Sequence, residues 1–143
     1  MSLLLDQQRI AHARRLLEES LADNPAQPTF ALALARVHAA LREYPKALEV
    51  LERAGPAAAA PEFQAMRGAV LQRLGRDEEA VRAFEDAIRG APQPAATWVS
   101  LGISLETLGR RPEAADAYRK ALAAGPLALE AREYAQDRVR ALQ

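Results

Sequence analysis

The sequence has no cysteine, and aromatic residues make up only 5% of its 143 positions. Without cysteine the chain has no disulfide framework, no thiolate zinc site and no cysteine nucleophile. Its 19 Lys and Arg residues are balanced by 19 Asp and Glu residues, so it lacks the basic excess of a nucleic-acid-binding protein. No apolar run approaches the ~20 residues of a membrane span, so no direct membrane insertion is predicted.

A 34-residue repeat is the main pattern that is present. When residues 61–94 are aligned with residues 95–128, small residues match small, aromatic matches aromatic and proline matches proline. The matched pairs include Gly68 with Gly102, Ala80 with Ala114, Phe84 with Tyr118, and Pro92 with Pro126. Residues 28–60 form a weaker first unit, residues 10–27 match a second half only, and residues 127–142 match a first half only.

Each unit has the pattern of two helices joined by a turn. In the third unit, apolar residues at spacings of three and four predict a helix over residues 95–108. Gly109 opens the turn, and Pro112 suits the first turn of a second helix. That helix is expected to end near Ala124, before Gly125 and Pro126. No segment has the alternation of a strand, so the sequence predicts an all-α fold.

The period and the motif residues resemble the tetratricopeptide repeat. The third unit carries the family's motif residues at Trp98, Leu101, Gly102, Ala114, Tyr118, Ala121 and Pro126. The resemblance implies one domain over residues 1–143, folded as a right-handed α-solenoid with a C-terminal capping helix over 127–142. It also implies that Gly68 and Gly102 let the two helices of a unit approach closely. Alanines are expected opposite these glycines, and aromatic rings in the gap between neighbouring units, at Ala80, Ala114, Phe84 and Tyr118.

The same resemblance places the first helix of each unit along a concave groove that binds a partner. The predicted groove residues are Leu32, Arg36, Ala65, Ala69, Arg73, Ala96, Val99, Ile103 and Glu106. A small, apolar floor suits an apolar or amphipathic segment of a partner protein. Val99 and Ile103 stand out as branched residues that packing within the unit does not require. The alternative is that the groove alanines reflect helix propensity alone.

The sequence lacks the residues that other kinds of functional site require. Chaperone-binding members of the family hold a C-terminal carboxylate at the positions of Leu32, Arg36, Met66, Ala96 and Ser100. Only Arg36 is cationic, so this clamp is absent. His12 and His38 have no second ligand at helical spacing and are interpreted as surface or packing residues. We predict no metal, no cofactor and no catalytic residues, and therefore a non-catalytic scaffold.

A narrower resemblance concerns residues 71–88, residues 98–110 and the tail ending DRVRAL. All three are similar to the C-terminal part of proteins that build the bacterial mannose-sensitive haemagglutinin (MSHA) type IV pilus. This implies a docking role at the periplasmic face of the inner membrane; otherwise a cytoplasmic location is expected. The start at Met1 runs directly into helical sequence, which suggests a domain excised from a longer protein. Two alternatives stay open: an accessory domain of another envelope assembly or secretion system, and a homodimer through the N-terminal helix.

Overall fold

The computed structural model describes residues 3–23 and 28–143, and within these ranges the chain forms eight α-helices and no strand. The helices are α1 (Leu3–Asp23), α2 (Pro28–Ala40), α3 (Tyr44–Glu52), α4 (Pro61–Arg73), α5 (Asp77–Gly90), α6 (Ala95–Thr107), α7 (Arg111–Ala124) and α8 (Leu129–Ala141). A short 3-10 helix, Gly55–Ala59, joins α3 to α4. Met1, Ser2 and residues 24–27 of the predicted half unit lie outside the described residues. Among the described helices, none has the length and apolar character needed to cross a membrane.

The predicted all-α solenoid is confirmed. The helices pack as the pairs α2/α3, α4/α5 and α6/α7, and α1 and α8 pack at the two ends. In the third unit, α6 ends one residue before the predicted residue 108, and α7 ends at Ala124 as predicted. The first helices α2, α4 and α6 share one face of the solenoid, and the second helices α1, α3, α5 and α7 share the other.

Both end helices differ from their predicted bounds. α1 begins at Leu3, not near residue 10, where the half unit was predicted to start: Gln8 stands where the second and third units have a glycine turn, and the helix runs through it. At the other end, α8 begins at Leu129, not Leu127. Ala128 has extended backbone, with a ψ of 147°, so the break that starts at Pro126 lasts two residues longer than predicted.

The turn inside each complete unit requires one residue in the left-handed conformation. Gly75 and Gly109 have φ values of 76° and 78°, and Arg42 has a φ of 60° at the same place in the first unit. In the third unit this geometry lets the Arg110 amide donate to the Leu105 carbonyl oxygen at 2.9 Å, which closes the end of α6. Arg42 adopts the conformation without the freedom of glycine, at a cost of roughly 1 kcal/mol.

An aromatic ring lies directly on a glycine within the second and third units. A Cβ atom at Gly68 would lie 2.8 Å from the Phe84 ring, and one at Gly102 would lie 2.7 Å from the Tyr118 ring. Phe84 and Tyr118 are 1% and 0% exposed. Each ring therefore packs on the glycine of its own unit. Tyr118 also meets the ring of Tyr134 in α8 edge-on, with 6.0 Å between the ring centroids, so it reaches the neighbouring helix as well.

The first unit has different side chains at the two equivalent positions. Ala35 occupies the glycine position and Leu51 the aromatic position, and both are fully buried. The pair fills a similar space because a larger first partner is matched by a smaller second one. The contact therefore depends on the sum of the two side chains.

Replacing Gly102 with Ala is expected to destabilise the protein by about 1–3 kcal/mol, because the new methyl group overlaps the Tyr118 ring. The double variant Gly102→Ala/Tyr118→Leu recreates the pair found in the first unit and should recover part of this loss. Urea unfolding measures both effects. The contact would be contradicted by a Gly102→Ala variant that is as stable as the wild type. It would also be contradicted by a double variant that loses more stability than the two single variants lose together. Ala123→Leu, at an exposed position of α7, serves as the control.

Candidate protein-binding groove

Two depressions lie between α2 and α4 on the face of the first helices. One has a volume of about 210 Å³ and is lined by Pro28, Thr29, Leu32, Ala33, Arg36, Glu62 and Phe63. The other, of about 280 Å³, is lined by Ala39, Ala40, Tyr44, Met66, Ala69, Val70 and Arg73. The structure thus brings predicted groove residues together in pairs, Leu32 with Arg36 and Ala69 with Arg73. Both depressions have small or apolar floors and an arginine at the edge.

The predicted groove residues differ in how much surface they offer. Arg36, Arg73 and Ala96 are exposed, and Ala65, Ala69 and Ile103 are half-buried. Leu32 and Val99 are each only 8% exposed and belong to the hydrophobic core. The interpretation that packing does not require Val99 is therefore wrong. Its side chain contributes to the core, and Ile103 beside it has more surface to offer a partner.

Glu106 is held by an ion pair and closes the C-terminal end of the groove face. Arg138 of α8 donates from Nε to Glu106 Oε1 at 2.9 Å and from its guanidinium to Oε2. The Tyr118 hydroxyl donates to Oε1 at 3.1 Å. The hydrogen bond from Arg138 lowers the pKa of Glu106, while burial raises the pKa of Tyr118. Glu106 therefore ties α6, α7 and α8 together, which its position on the groove face alone did not predict.

A second polar link joins the second and third units. Gln72 Nε2 donates to the Ser100 carbonyl oxygen at 2.7 Å and to Ser104 Oγ at 2.8 Å. Ser104 Oγ in turn donates to Asp77 Oδ1 at 2.8 Å, and Ser104 is fully buried. The buried Ser104 hydroxyl thus has both a donor and an acceptor, and the cluster links α4 and α5 to α6. Ser104 is not among the predicted groove residues.

A third polar cluster fixes α1 to the first unit. His38 is 4% exposed, and its Nδ1 lies 3.2 Å from Glu43 Oε1. The same carboxylate accepts hydrogen bonds from Lys46 at 3.1 Å and from Arg14 of α1 at 3.2 Å. These bonds, the one with His38 foremost, lower the pKa of Glu43 from 4.5 to about 2. His38 is thus a packing residue with a polar partner, and the described residues contain no group of three potential ligands for a metal ion.

Stacked helix pairs with their first helices along one open face define a helical-repeat scaffold. A family model described as a tetratricopeptide repeat-like domain matches residues 3–108, so the chain belongs to this family and the resemblance seen in the sequence is confirmed. Proteins of this fold act as scaffolds for protein–protein interaction. No curated protein matches the chain in sequence.

Solved structures of similar fold cover 84% to 99% of the chain. A crystal structure of MamA has a TM-score of 0.80 and 18% identity, with 99% of this chain and 93% of that chain covered. TTC0263, a thermophilic TPR protein of Thermus thermophilus, has a TM-score of 0.78 and 22% identity over 95% of this chain and 76% of its own. A further MamA structure, from AMB-1, is 26% identical with a TM-score of 0.72, and 84% of this chain and 72% of that chain are covered. These likenesses describe the fold.

The Glu43 cluster predicts how stability depends on pH. Because the folded-state pKa of about 2 lies below the ordinary value of 4.5, the cluster stabilises the fold above pH 4.5, and this contribution disappears as pH falls towards 2. Glu43→Gln should lower Tm at pH 7 and should lose less stability than the wild type between pH 4.5 and 2. Thermal melts across this range measure both. Glu19→Gln, at an exposed position of α1, is the control, and parallel pH curves for wild type and Glu43→Gln would contradict the assignment.

Proposed function

We propose that the chain is a non-catalytic scaffold that binds an apolar or amphipathic segment of a partner protein along its groove face. The observation that carries this proposal is the pair of depressions between α2 and α4, with apolar floors and arginines at their edges. Between them, exposed or half-buried alanines leave room for a bound segment. Concave faces of helical-repeat arrays are extended binding surfaces.

The polar groups of the described residues support binding over catalysis. The buried hydroxyl of Ser104 and the buried imidazole of His38 are each held by neighbouring side chains, and they lie on different units. A catalytic set requires a nucleophile and a base within hydrogen-bond reach of each other. These groups instead have partners that fix helix positions.

Within this function, we assign the chain to assembly of an MSHA-type pilus, where it would dock other components at the periplasmic face of the inner membrane. Support comes from the sequence likeness over residues 98–110 and the tail ending DRVRAL. The alternative is an accessory domain of another envelope assembly or secretion system. Deleting the gene and measuring surface pili separates the two: loss of pili supports the assignment, and normal pili overturn it.

The groove is tested by adding charge to its floor. Ala65→Glu/Ala69→Glu places two carboxylates on half-buried positions of α4, where a bound apolar segment would have to desolvate them. We expect retained helical content and loss of the proteins that the wild type captures from a lysate, by quantitative mass spectrometry. Ala123→Glu/Ala124→Glu, two exposed positions at the end of α7, is the matched control. Capture that survives the groove change, or is lost equally in the control, contradicts the groove.

Self-association through α1 is a second candidate, and one observation favours it. Leu16 is 50% exposed, whereas Ala117, at the same position of the third unit, is 3% exposed because α6 covers it. In the described residues no first helix covers α1 in this way. A second copy of α1 would bury this apolar face.

Sedimentation equilibrium tests the homodimer. The monomer mass is 15.6 kDa, so the dimer should appear at twice this mass and become a monomer in Leu16→Glu. Leu129→Glu, at an exposed position at the other end of the solenoid, is the matched control. A wild type that stays monomeric at high concentration overturns self-association without affecting the groove.

A further inference from the structure

Neighbouring first helices meet at three junctions, α2 with α4, α4 with α6, and α6 with α8, which takes the place of a fourth first helix. The repeat places three equivalent positions at each junction. One lies in the last turn of the first helix, one at the start of the second helix, and one on the first helix of the next unit. In this order they are Ala39, Tyr44 and Val70 at the first junction, Gln72, Asp77 and Ser104 at the second, and Glu106, Arg111 and Arg138 at the third.

Polar side chains link the helices at the second and third junctions. At the second, Gln72 Nε2 donates to Ser104 Oγ at 2.8 Å. At the third, the Glu106 carboxylate accepts hydrogen bonds from Arg138 at 2.9 Å and from the Tyr118 hydroxyl at 3.1 Å. At both places a polar group from the last turn of one first helix therefore meets a polar side chain of the next.

The first junction has apolar residues at the same two positions. Ala39 and Val70 stand where the other junctions have their polar side chains. Both line the depression of about 280 Å³ between α2 and α4, so the depression lies where the polar link would be. Val70 is buried, but Ala39, Met66 and Ala69 are half-buried, so this part of the groove is open to a bound group.

The polar side chains that line this depression are those of Tyr44 and Arg73. Among the residues that the structure describes, the Tyr44 hydroxyl has no hydrogen-bond partner, and the exposed Arg73 guanidinium has no ion pair. A tyrosine hydroxyl and a guanidinium are also the two groups that hold Glu106 at the third junction. The first junction therefore has the donors of a carboxylate site, and no described carboxylate of the chain is bound to them.

The neighbouring depression of about 210 Å³ differs in charge. Arg36 at its edge also has no ion pair in the described part of the chain, but Glu62 lines the same depression. An incoming carboxylate would meet a like charge there as well as a cation, which weakens its binding. Charge complementarity therefore favours the depression at Arg73 for an acidic group.

We propose that the depression at Arg73 binds the side chain of an acidic residue, a glutamate by preference, from the partner segment in the groove. Its methylene groups would lie on Ala39 and Val70, and its carboxylate would accept hydrogen bonds from Tyr44 and Arg73. Hydrogen bonds from a guanidinium to a carboxylate are among the strongest in proteins. This inference rests on the proposed groove function and adds an acidic residue to the apolar or amphipathic segment proposed there.

An acidic side chain supplied by the chain itself tests the depression without a ligand. Ala39→Glu places a carboxylate at the position that Glu106 has at the third junction, and Ala39→Gln is its uncharged match. We expect Arg73→Gln to lower the Tm of Ala39→Glu by a few degrees and to leave the Tm of Ala39→Gln unchanged, because only the carboxylate pairs with Arg73. Equal effects of Arg73→Gln in the two backgrounds overturn the carboxylate site.

Selection from a random displayed peptide library tests the preference for an acidic residue. Peptides that bind the wild type but not Ala65→Glu/Ala69→Glu should share a glutamate or an aspartate beside apolar residues. By fluorescence anisotropy, glutamine in place of that acid should weaken binding roughly tenfold, as should Arg73→Gln, and Tyr44→Phe should weaken it roughly threefold. Arg119→Gln, at an exposed position of α7, is the matched control and should bind as the wild type does.

The outcomes separate this inference from the groove function. Groove-dependent peptides without an acidic residue overturn the inference and leave the groove function intact, whereas a library that yields no groove-dependent peptide overturns both. The native gene product should bind the selected peptides as tightly as residues 1–143 do. Weaker binding would mean that a segment of its own chain or a second copy occupies the depression, which overturns the assignment to a partner.

Discussion

The contact of an aromatic ring with a glycine is the constraint on which this solenoid depends. In the second and third units the Phe84 and Tyr118 rings lie where a Cβ atom on Gly68 or Gly102 would have to be. This distance fixes how closely the two helices of a unit approach, and so which side chains reach the neighbouring unit. The first unit keeps the approach with Ala35 and Leu51, and α1 has no first helix to approach in the described residues. Order in the array is therefore expected to be greatest in the second and third units.

Polar links then set how the units stack. Gln72 and Ser104 join the second unit to the third, Arg67 joins α3 to α5 across α4, and Glu106 joins the third unit to α8. Hydrogen-bonded polar groups at such positions favour one arrangement of the units. Any other arrangement would leave a buried polar group without a partner, which lowers the stability of the fold. The alanine-rich contacts allow close approach of helices, and these few polar groups join one unit to the next. The face of the first helices and the face of the second helices both depend on these alanine contacts and polar links.

The repeat was predictable from the sequence because its signals are local. Glycine at the turn, proline after the second helix and small residues at fixed spacing predict the bounds of α6 and α7. The end helices were less predictable, since Gln8 carries no stop signal and the helix after Pro126 does not begin until Leu129. Partners far apart in sequence were missed. Glu106 was assigned to the groove because Arg138, 32 residues later, carries no signal that it reaches back. Val99 was assigned to the groove by its position in the repeat, although its side chain is buried in the core.

Native-state hydrogen exchange reports the stability of each helix separately, so it measures whether the contacts of rings with glycines govern the stability of the array. We expect the slowest exchange in α4, α5, α6 and α7, where aromatic rings pack on glycines, intermediate exchange in α2 and α3, and the fastest exchange in α1. Equal protection along the whole array, or greater protection in α1 than in α6, would contradict the claim that this contact governs the stability of the scaffold.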